Sequence, residues 1–391
     1  MSPQLLADRL QGLESSPTLA LAAKAKALRS AGKPVLDFTA GEPDFPTPTP
    51  IKQAGIQAIE KNFTKYTPAA GIPELRLAIA NQLSQRLGVG YEPSQAMVSC
   101  GAKHVLYNAL QAICQAGDEV MVFSPYWVSY VPLVQLAGAK AVIVHTRESD
   151  QFQPDLKTVK AALTSRTKAI ILNSPSNPTG IVIERDRLEA LARLISAHQL
   201  LVISDDIYDQ LVFPPAQACS ILQVDPSLRS QAIIVNGVSK TYSMTGWRIG
   251  YAVGPQAIIN AMIALQSHST SNPTSISQYA ALAALTGPQD ELATMVSEFQ
   301  RRRDRLVAGL NQLPGLSCVM PQGAFYAWCN ISQLGQPAAT LAARWLEESL
   351  IAVVPGEGFG SAAHVRLSFA TSLHTIEEAL ARLAKSVGPR R

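Results

Sequence analysis

From residue 119 to residue 253 the chain alternates short apolar runs rich in Val, Ile and Leu with stretches of helical periodicity, and no other feature restricts its fold as strongly. The apolar runs fall at 119–123, 141–145, 168–172, 200–204, 232–235 and 249–253. The stretch 184–198 between two of them places Leu188, Leu191, Ala192 and Ile195 on one helical face. Runs this evenly apolar leave no solvated side. They therefore read as strands covered by helices on both faces, an α/β architecture around a largely parallel sheet.

In such a sheet, ligands sit beyond the carboxyl ends of the strands, so the polar residues after each run carry the functional information. Asn173-Ser174-Pro175-Ser176-Asn177-Pro178-Thr179-Gly180 follows one run, Asp205 and Tyr208 the next, and Lys240 a third. Each alone has an ordinary explanation: Asn-Pro-Thr-Gly as a turn, the aspartate as an N-cap, the tyrosine as core. Their joint occurrence at three strand ends is not explained by turns and caps.

Lys240 stands out because an apolar run leads into it and Tyr242, Met244 and Trp247 follow, which makes burial plausible where a lysine is otherwise a solvated charge. Desolvation lowers a lysine pKa by up to roughly 3–5 units, leaving a free amine able to attack an aldehyde and form a Schiff base. Arg248 offers a planar fork to a phosphate. The pair points to pyridoxal phosphate. That cofactor needs a carboxylate at its ring nitrogen, for which Asp205 is the candidate, and donors to its phenolate oxygen, for which Asn177 and Tyr208 stand ready. Its phosphate suits the small-residue turn Ser99-Cys100-Gly101-Ala102-Lys103-His104, which opens the apolar helix 105–113.

Elsewhere the chain reads as a helix at 18–31, a strand at 34–39 and a proline-punctuated loop from Gly41 to Pro50 without regular structure. A helix follows Pro73, carrying Leu75, Ile79 and Leu83. After Gly287 come a long helix (Leu292, Met295, Phe299, Leu306, Leu310) and an α+β tail through 365–369. Residues 1–45 form an N-terminal arm and part of a small domain, 46–286 a large cofactor-binding domain and 287–391 the rest of the small one. The run Arg301-Arg302-Arg303-Asp304-Arg305 spreads around a helix and reads as a solvated face.

With 391 residues, 47% hydrophobic and 16% charged, the chain can bury a large core. Its net charge of +4 is scattered, which implies no nucleic-acid partner and suits small acidic ligands. Five cysteines without a CxxC spacing point to a reducing compartment and no metal site. The segment around Leu5, Leu6, Asp8, Arg9 and Leu10 lacks a signal-peptide core, and no apolar run approaches a membrane span, so a cytoplasmic protein is expected.

As a set, several stretches resemble a class I aminotransferase of fold type I, in the subgroup of bacterial aspartate aminotransferases. They are Ser16-Pro17-Thr18, Gly41-Glu42-Pro43-Asp44-Phe45, Lys65-Tyr66, Ala70-Gly71-Ile72-Pro73-Glu74-Leu75-Arg76, Pro125-Tyr126-Trp127-Val128-Ser129, Asn177-Pro178-Thr179-Gly180, Ser239-Lys240 through Arg248, and His364-Val365-Arg366-Leu367-Ser368. The resemblance implies a mainly parallel seven-stranded sheet flanked by helices, with a smaller α+β domain made from both termini. It implies that Lys240 holds the cofactor covalently and moves the proton, that Asp205 pairs with the ring nitrogen, and that Trp127 stacks on the ring. Asn177 and Tyr208 would hold the phenolate oxygen. Gly101, Ala102, Lys103, Ser239 and Arg248 would surround the phosphate, and Tyr66 would reach the phosphate of the neighbouring subunit in a homodimer with shared sites.

For the substrate, the resemblance assigns the α-carboxylate to Arg366, with Gly41, Trp127 and Asn177 alongside. It assigns a distal carboxylate to Lys103 with Ser16 and Thr18. The implied reaction passes the amino group of L-aspartate to 2-oxoglutarate. Another donor or acceptor (prephenate, alanine, an aromatic amino acid or methionine), or a pyridoxal-phosphate lyase or synthase on the same fold, stays open. A non-enzymatic sensor is disfavoured because every catalytic position is filled. Two positions depart from the family: Asp206 where Glu is usual, and Gly237 where many members carry a phosphate-binding hydroxyl.

Overall fold

A computed structural model describes residues 7–10, 13 and 17–388, without the side chains of Asp8, residues 17–20 and Ala22. Seven strands form the central sheet in the spatial order Ala96–Ser99, Gly250–Val253, Ala232–Gly237, Leu201–Asp205, Thr167–Asn173, Glu119–Ser124, Lys140–His145. Neighbours from Ala232–Gly237 to Lys140–His145 pair parallel, and Gly250–Val253 runs antiparallel to both of its neighbours. The mainly parallel seven-stranded sheet expected from the sequence is what forms.

Alternation along the strands explains the layers. Ile170 and Leu172 pack with Leu188, Leu191 and Ile195 of the helix Arg185–Ala197 on one face. Ala169 and Ile171 pack with Val105, Leu106 and Ala109 of the helix Ala102–Ile113 on the other. Each such aliphatic side chain contributes about 1.5–3 kcal/mol when fully buried, so neither face can be exposed without large cost.

A second, antiparallel sheet orders Val354–Pro355, His364–Ser368, Tyr326–Asn330 and Ser317–Cys318. The long helix Asp290–Gln312 packs on it through Phe299, Leu306 and Leu310. The chain's early segment joins this part, since Leu36–Asp37 pairs in parallel with Ile351–Ala352 and Ser368 donates its amide to the Phe38 carbonyl at 2.9 Å.

Four expectations need correction. The strand at 34–39 shrinks to Leu36–Asp37, because Pro34 supplies no donor and only two residues find the partner. The stretch from Gly41 to Pro50 is not irregular throughout: a helix already begins at Thr49, with Pro50 in its first turn, where a missing N–H costs nothing. Short strands at Ala96–Ser99, Ser317–Cys318 and Tyr326–Asn330 carried too little period-2 signal to be read. The arginine run is not a solvated face. Arg302 and Arg303 are buried, Arg302 donating to Asp44 at 2.7 Å and Glu298 at 2.8 Å and Arg303 to the Pro321 carbonyl at 3.0 Å.

Candidate active site

The carboxyl ends of the parallel strands and the second sheet meet at a cleft of about 280 Å³ whose walls include Lys240, Asp205, Tyr208, Asn177, Trp127 and Arg366. Register brings two strand ends together, because Asn173 lies opposite Asp205, and Asp205 opposite Val235. Asn173 then fixes both neighbours: its Nδ2 donates to the Asp205 carbonyl at 2.8 Å, and its Oδ1 accepts the Asn177 amide at 2.9 Å.

Lys240 and Arg248 ride one loop between Ala232–Gly237 and Gly250–Val253, closed where Gly237 faces Gly250. A Cβ at Gly237 would lie 3.0 Å from the Ile249 carbonyl, so the family's usual hydroxyl residue has no room here without a shift of the next strand. Lys240 Nζ donates to the Gly41 carbonyl at 2.7 Å. Desolvation brings its pKa down to about 8, assisted by the Arg248 and Arg366 charges and opposed by Glu42 and Asp205.

Asp205 is 3% exposed, and burial pushes its carboxyl up to about 6. Tyr130 donates to its Oδ2 at 2.7 Å and works in the opposite direction. Tyr208 shares a 3.0 Å hydrogen bond with Tyr326. Asp206 turns away from the cleft and accepts from Ser204 at 2.6 Å, its own pKa raised to about 7 by burial.

At the other end of the cleft, Gly101 precedes the helix Ala102–Ile113 with φ +90°, and the first amides of that helix have no intrahelical acceptor. A Cβ on Gly101 would stand 2.4 Å from Arg248 Nη2, so glycine is what allows the arginine to close on the helix start. Arg248 donates to the Thr245 carbonyl at 2.8 Å and to that of Cys100 at 3.4 Å. Lys103 projects its ammonium 4.9 Å from the Trp127 ring centroid; desolvation, then the Arg248 charge, lowers its pKa.

Arg366, 2% exposed, sits in His364–Ser368 opposite Trp328. Its Nη1 donates to Asn177 Oδ1 at 3.0 Å and its Nη2 to the Thr39 carbonyl at 3.1 Å, while its guanidinium lies 4.3 Å from the Tyr326 ring centroid. Its Nε has no acceptor.

Of the residues singled out in the sequence, Gly41, Ala102, Lys103, Trp127, Asn177, Asp205, Tyr208, Ser239, Lys240, Arg248 and Arg366 line this cleft, and Gly101 abuts Arg248 at its rim. Tyr66 does not line it: the side chain is 91% exposed. Ser16 lies outside the described residues, as does the side chain of Thr18, whose backbone belongs to the helix Pro17–Ser30. Sequence reasoning missed Tyr130 and Tyr326, and it singled out Asn173 as the polar end of an apolar run without giving it a role.

A lysine whose ammonium is weakened by burial, beside a buried guanidinium, is equipment for a carbonyl or amine substrate that bears a carboxylate, and fold and cleft together define an enzyme of that class. Comparison with known proteins gives the class its family. The family described as "Aminotransferase class I and II" matches residues 33–383, and the chain belongs to it. An aspartate aminotransferase of Geobacillus stearothermophilus is 47% identical over 97% of this chain and 98% of its own. An aspartate/prephenate aminotransferase of Thermus thermophilus is 45% identical over 98% of this chain and 99% of its own. The solved structure of a Thermus thermophilus aspartate aminotransferase with maleate superposes with a TM-score of 0.94 at 43% identity, covering 98% of this chain and 99% of that one.

Proposed function

We propose that the protein is an aspartate aminotransferase that uses pyridoxal phosphate to move the amino group of L-aspartate to 2-oxoglutarate. The observation that carries this reading is Arg366, a buried cation with no carboxylate partner among the described residues and with an unused Nε. An uncompensated guanidinium is costly unless an anion arrives to meet it, and every amino acid and 2-oxo acid brings an α-carboxylate. Lys103, in the same cleft, supplies a second cation for a distal carboxylate. The names of the relatives agree, and maleate is itself a dicarboxylate.

The residues suit the cofactor. Asp205 is a buried carboxylate with no lysine or arginine ion-paired to it among the described residues, which fits a protonated ring nitrogen. Arg248 and the helix start at Gly101 fit a phosphate. When bound, pyridoxal phosphate supplies an electron-withdrawing ring conjugated to the substrate nitrogen, which lowers the cost of releasing the α-proton. Lys240 is the group that holds the cofactor and, as a free amine near pKa 8, accepts and returns that proton. Asp205, steadied by Tyr130, keeps a negative charge at the ring nitrogen. With the cofactor bound, Trp127 would cover the ring, Asn177 and Tyr208 would serve the phenolate oxygen, Ser239 the phosphate and Gly41 the substrate side, all of them residues that line the cleft.

In this reading residues 46–286 are the large domain, and residues 1–45 with 287–391 the smaller one. The active unit is a homodimer in which the exposed Tyr66 reaches the partner's phosphate. Among the described residues no helix is long and apolar enough to cross a membrane, and a cytoplasmic setting is part of the proposal.

One spectroscopic series tests it. L-Aspartate added alone to the holoenzyme should convert the cofactor to its amine form, and 2-oxoglutarate should return it. A return without oxo acid would mean a lyase. Conversion by alanine or an aromatic amino acid but not by aspartate would overturn the substrate assignment. Prephenate belongs in the same series as acceptor, because one of the similar proteins is named for it.

A further inference from the structure

The motif His364-Val365-Arg366-Leu367-Ser368 gives Arg366 a role but leaves its first residue without one. His364 and Arg366 are two apart on one strand and so face the same side. The His364 ring lies flat against Trp328, at 5.1 Å between centroids and 2° between planes, and Trp328 is the cross-strand partner of Arg366. Phe359 meets Trp328 edge-on, 5.4 Å between centroids, and reaches the Arg366 guanidinium at 5.1 Å. Ser361 Oγ fixes the other side of the imidazole through Nδ1 at 2.8 Å. Displacing His364 therefore displaces the surroundings of Arg366.

What holds His364 comes from the other sheet. Glu148 opens a short turn, Glu148–Asp150, beyond the edge strand Lys140–His145 of the central sheet. Its Oε2 stands 3.4 Å from His364 Nε2 and also accepts from Asn330 Nδ2, and Asn330 is the residue directly opposite His364 in the second sheet. One carboxylate thus grips both strand ends. The turn behind it is strained, with the non-glycine residues Gln151 and Phe152 both left-handed at φ +48° and +57°, and Phe152 sets its ring edge against His364 at 5.9 Å. Contact with His364, then Asn330, keeps the Glu148 carboxyl below the usual carboxylate range despite some desolvation, so the grip is that of an anion.

We infer that Glu148 is a positioning residue for substrate binding: by gripping Asn330 and His364 across the seam between the two sheets, it sets where Arg366 meets the substrate α-carboxylate. The inference rests on the reading of Arg366 given above. Both half-reactions use an α-carboxylate, so both should respond.

The test uses the holoenzyme with L-aspartate, with 2-oxoglutarate and with maleate as a non-reacting dicarboxylate probe. Glu148→Ala should raise KM for both substrates and Ki for maleate about five- to tenfold while kcat changes less than twofold, the pattern of lost binding rather than lost chemistry. Glu148→Gln, whose amide oxygen still accepts from Asn330 and stays near His364 Nε2, should recover most of the loss. Asn330→Ala provides a second route should Glu148→Ala fold poorly. In a double-mutant cycle with Arg366→Lys, the Glu148→Ala effect on KM should largely vanish. Unchanged KM and Ki in both Glu148→Ala and Asn330→Ala, or effects fully additive to those of Arg366→Lys, would overturn the inference. If Arg366→Lys itself leaves KM unchanged, it is the reading of Arg366 that fails.

Discussion

The two arginines of the cleft are built on opposite principles. Arg248 is exposed, in a loop with φ +56°, and among the described residues its hydrogen bonds go to backbone carbonyls. Arg366 is 2% exposed, in mid-strand, held by Asn177, the Thr39 carbonyl and an aromatic face. The first suits a group that arrives once and stays, where a loop and a helix start can close around it. The second suits substrates that come and go each turnover, because a preset fork loses little freedom at each encounter.

Removing the lysine between the two arginines is the sharpest way to isolate them. Lys240→Ala should lower turnover by roughly 10²–10⁴-fold or more while both arginines go on holding cofactor and substrate. Borohydride reduction and mass mapping of the parent protein should label Lys240; a label elsewhere would refute its role.

Arg366→Met should lower kcat/KM for aspartate by about 10²-fold, since one side of a buried charge pair is lost from the bound state. Thermal stability should hold or rise, because the unliganded protein no longer buries a guanidinium without a carboxylate. A fall in melting temperature beside intact binding would reverse the contrast.

Lys103→Ala should cut kcat/KM for aspartate on the order of 10–100-fold, the worth of one charge-assisted hydrogen bond, and leave slow alanine turnover nearly unchanged. Equal losses for both donors would assign Lys103 to the cofactor. Arg248→Ala should weaken cofactor retention about tenfold, read by dialysis against phosphate, with KM for aspartate little changed in cofactor-saturated enzyme.

The smallest effect is on pH dependence. In cofactor-free protein the Lys240 pKa is lowered to about 8, below its unfolded value, so the unfolded chain binds more protons between there and roughly pH 10.4. Across that window the lysine makes stability rise with pH. Denaturation of cofactor-free Lys240→Met should show a shallower rise than the parent; identical slopes would mean that Lys240 is not desolvated.

Why some of this was legible and some not follows from range. Asp205, Asn177 and Lys240 all follow apolar runs, so local pattern and the strand-end rule place them together. Tyr130 was invisible because its value lies in a hydrogen bond to Asp205 that only sheet order creates. The arginine run misled for a related reason. Helical geometry spreads Arg301 to Arg305 around the axis, but Asp44, Phe45 and Phe299 give Arg302 a half-buried ion pair and two aromatic faces, and two of those partners arrive from the far end of the chain. The short strands Ala96–Ser99, Ser317–Cys318 and Tyr326–Asn330 escaped because pairing, rather than propensity, makes them strands.

The reversed strand Gly250–Val253 has a consequence for the order of events during synthesis. It lies between Ala96–Ser99 and Ala232–Gly237, and both bond to it. Until residue 253 has left the ribosome, the sheet has a gap at the place where the lysine loop must be tied down and where the helix start at Gly101 must be supported. A nascent chain shorter than that holds Asp205, Asn177 and Lys240 but has no closed cup in which to retain a phosphate. On the proposed reading of the cleft, a phosphate cup that includes Arg248 and the helix start at Gly101 is complete only once that last strand of the central sheet has been translated and inserted.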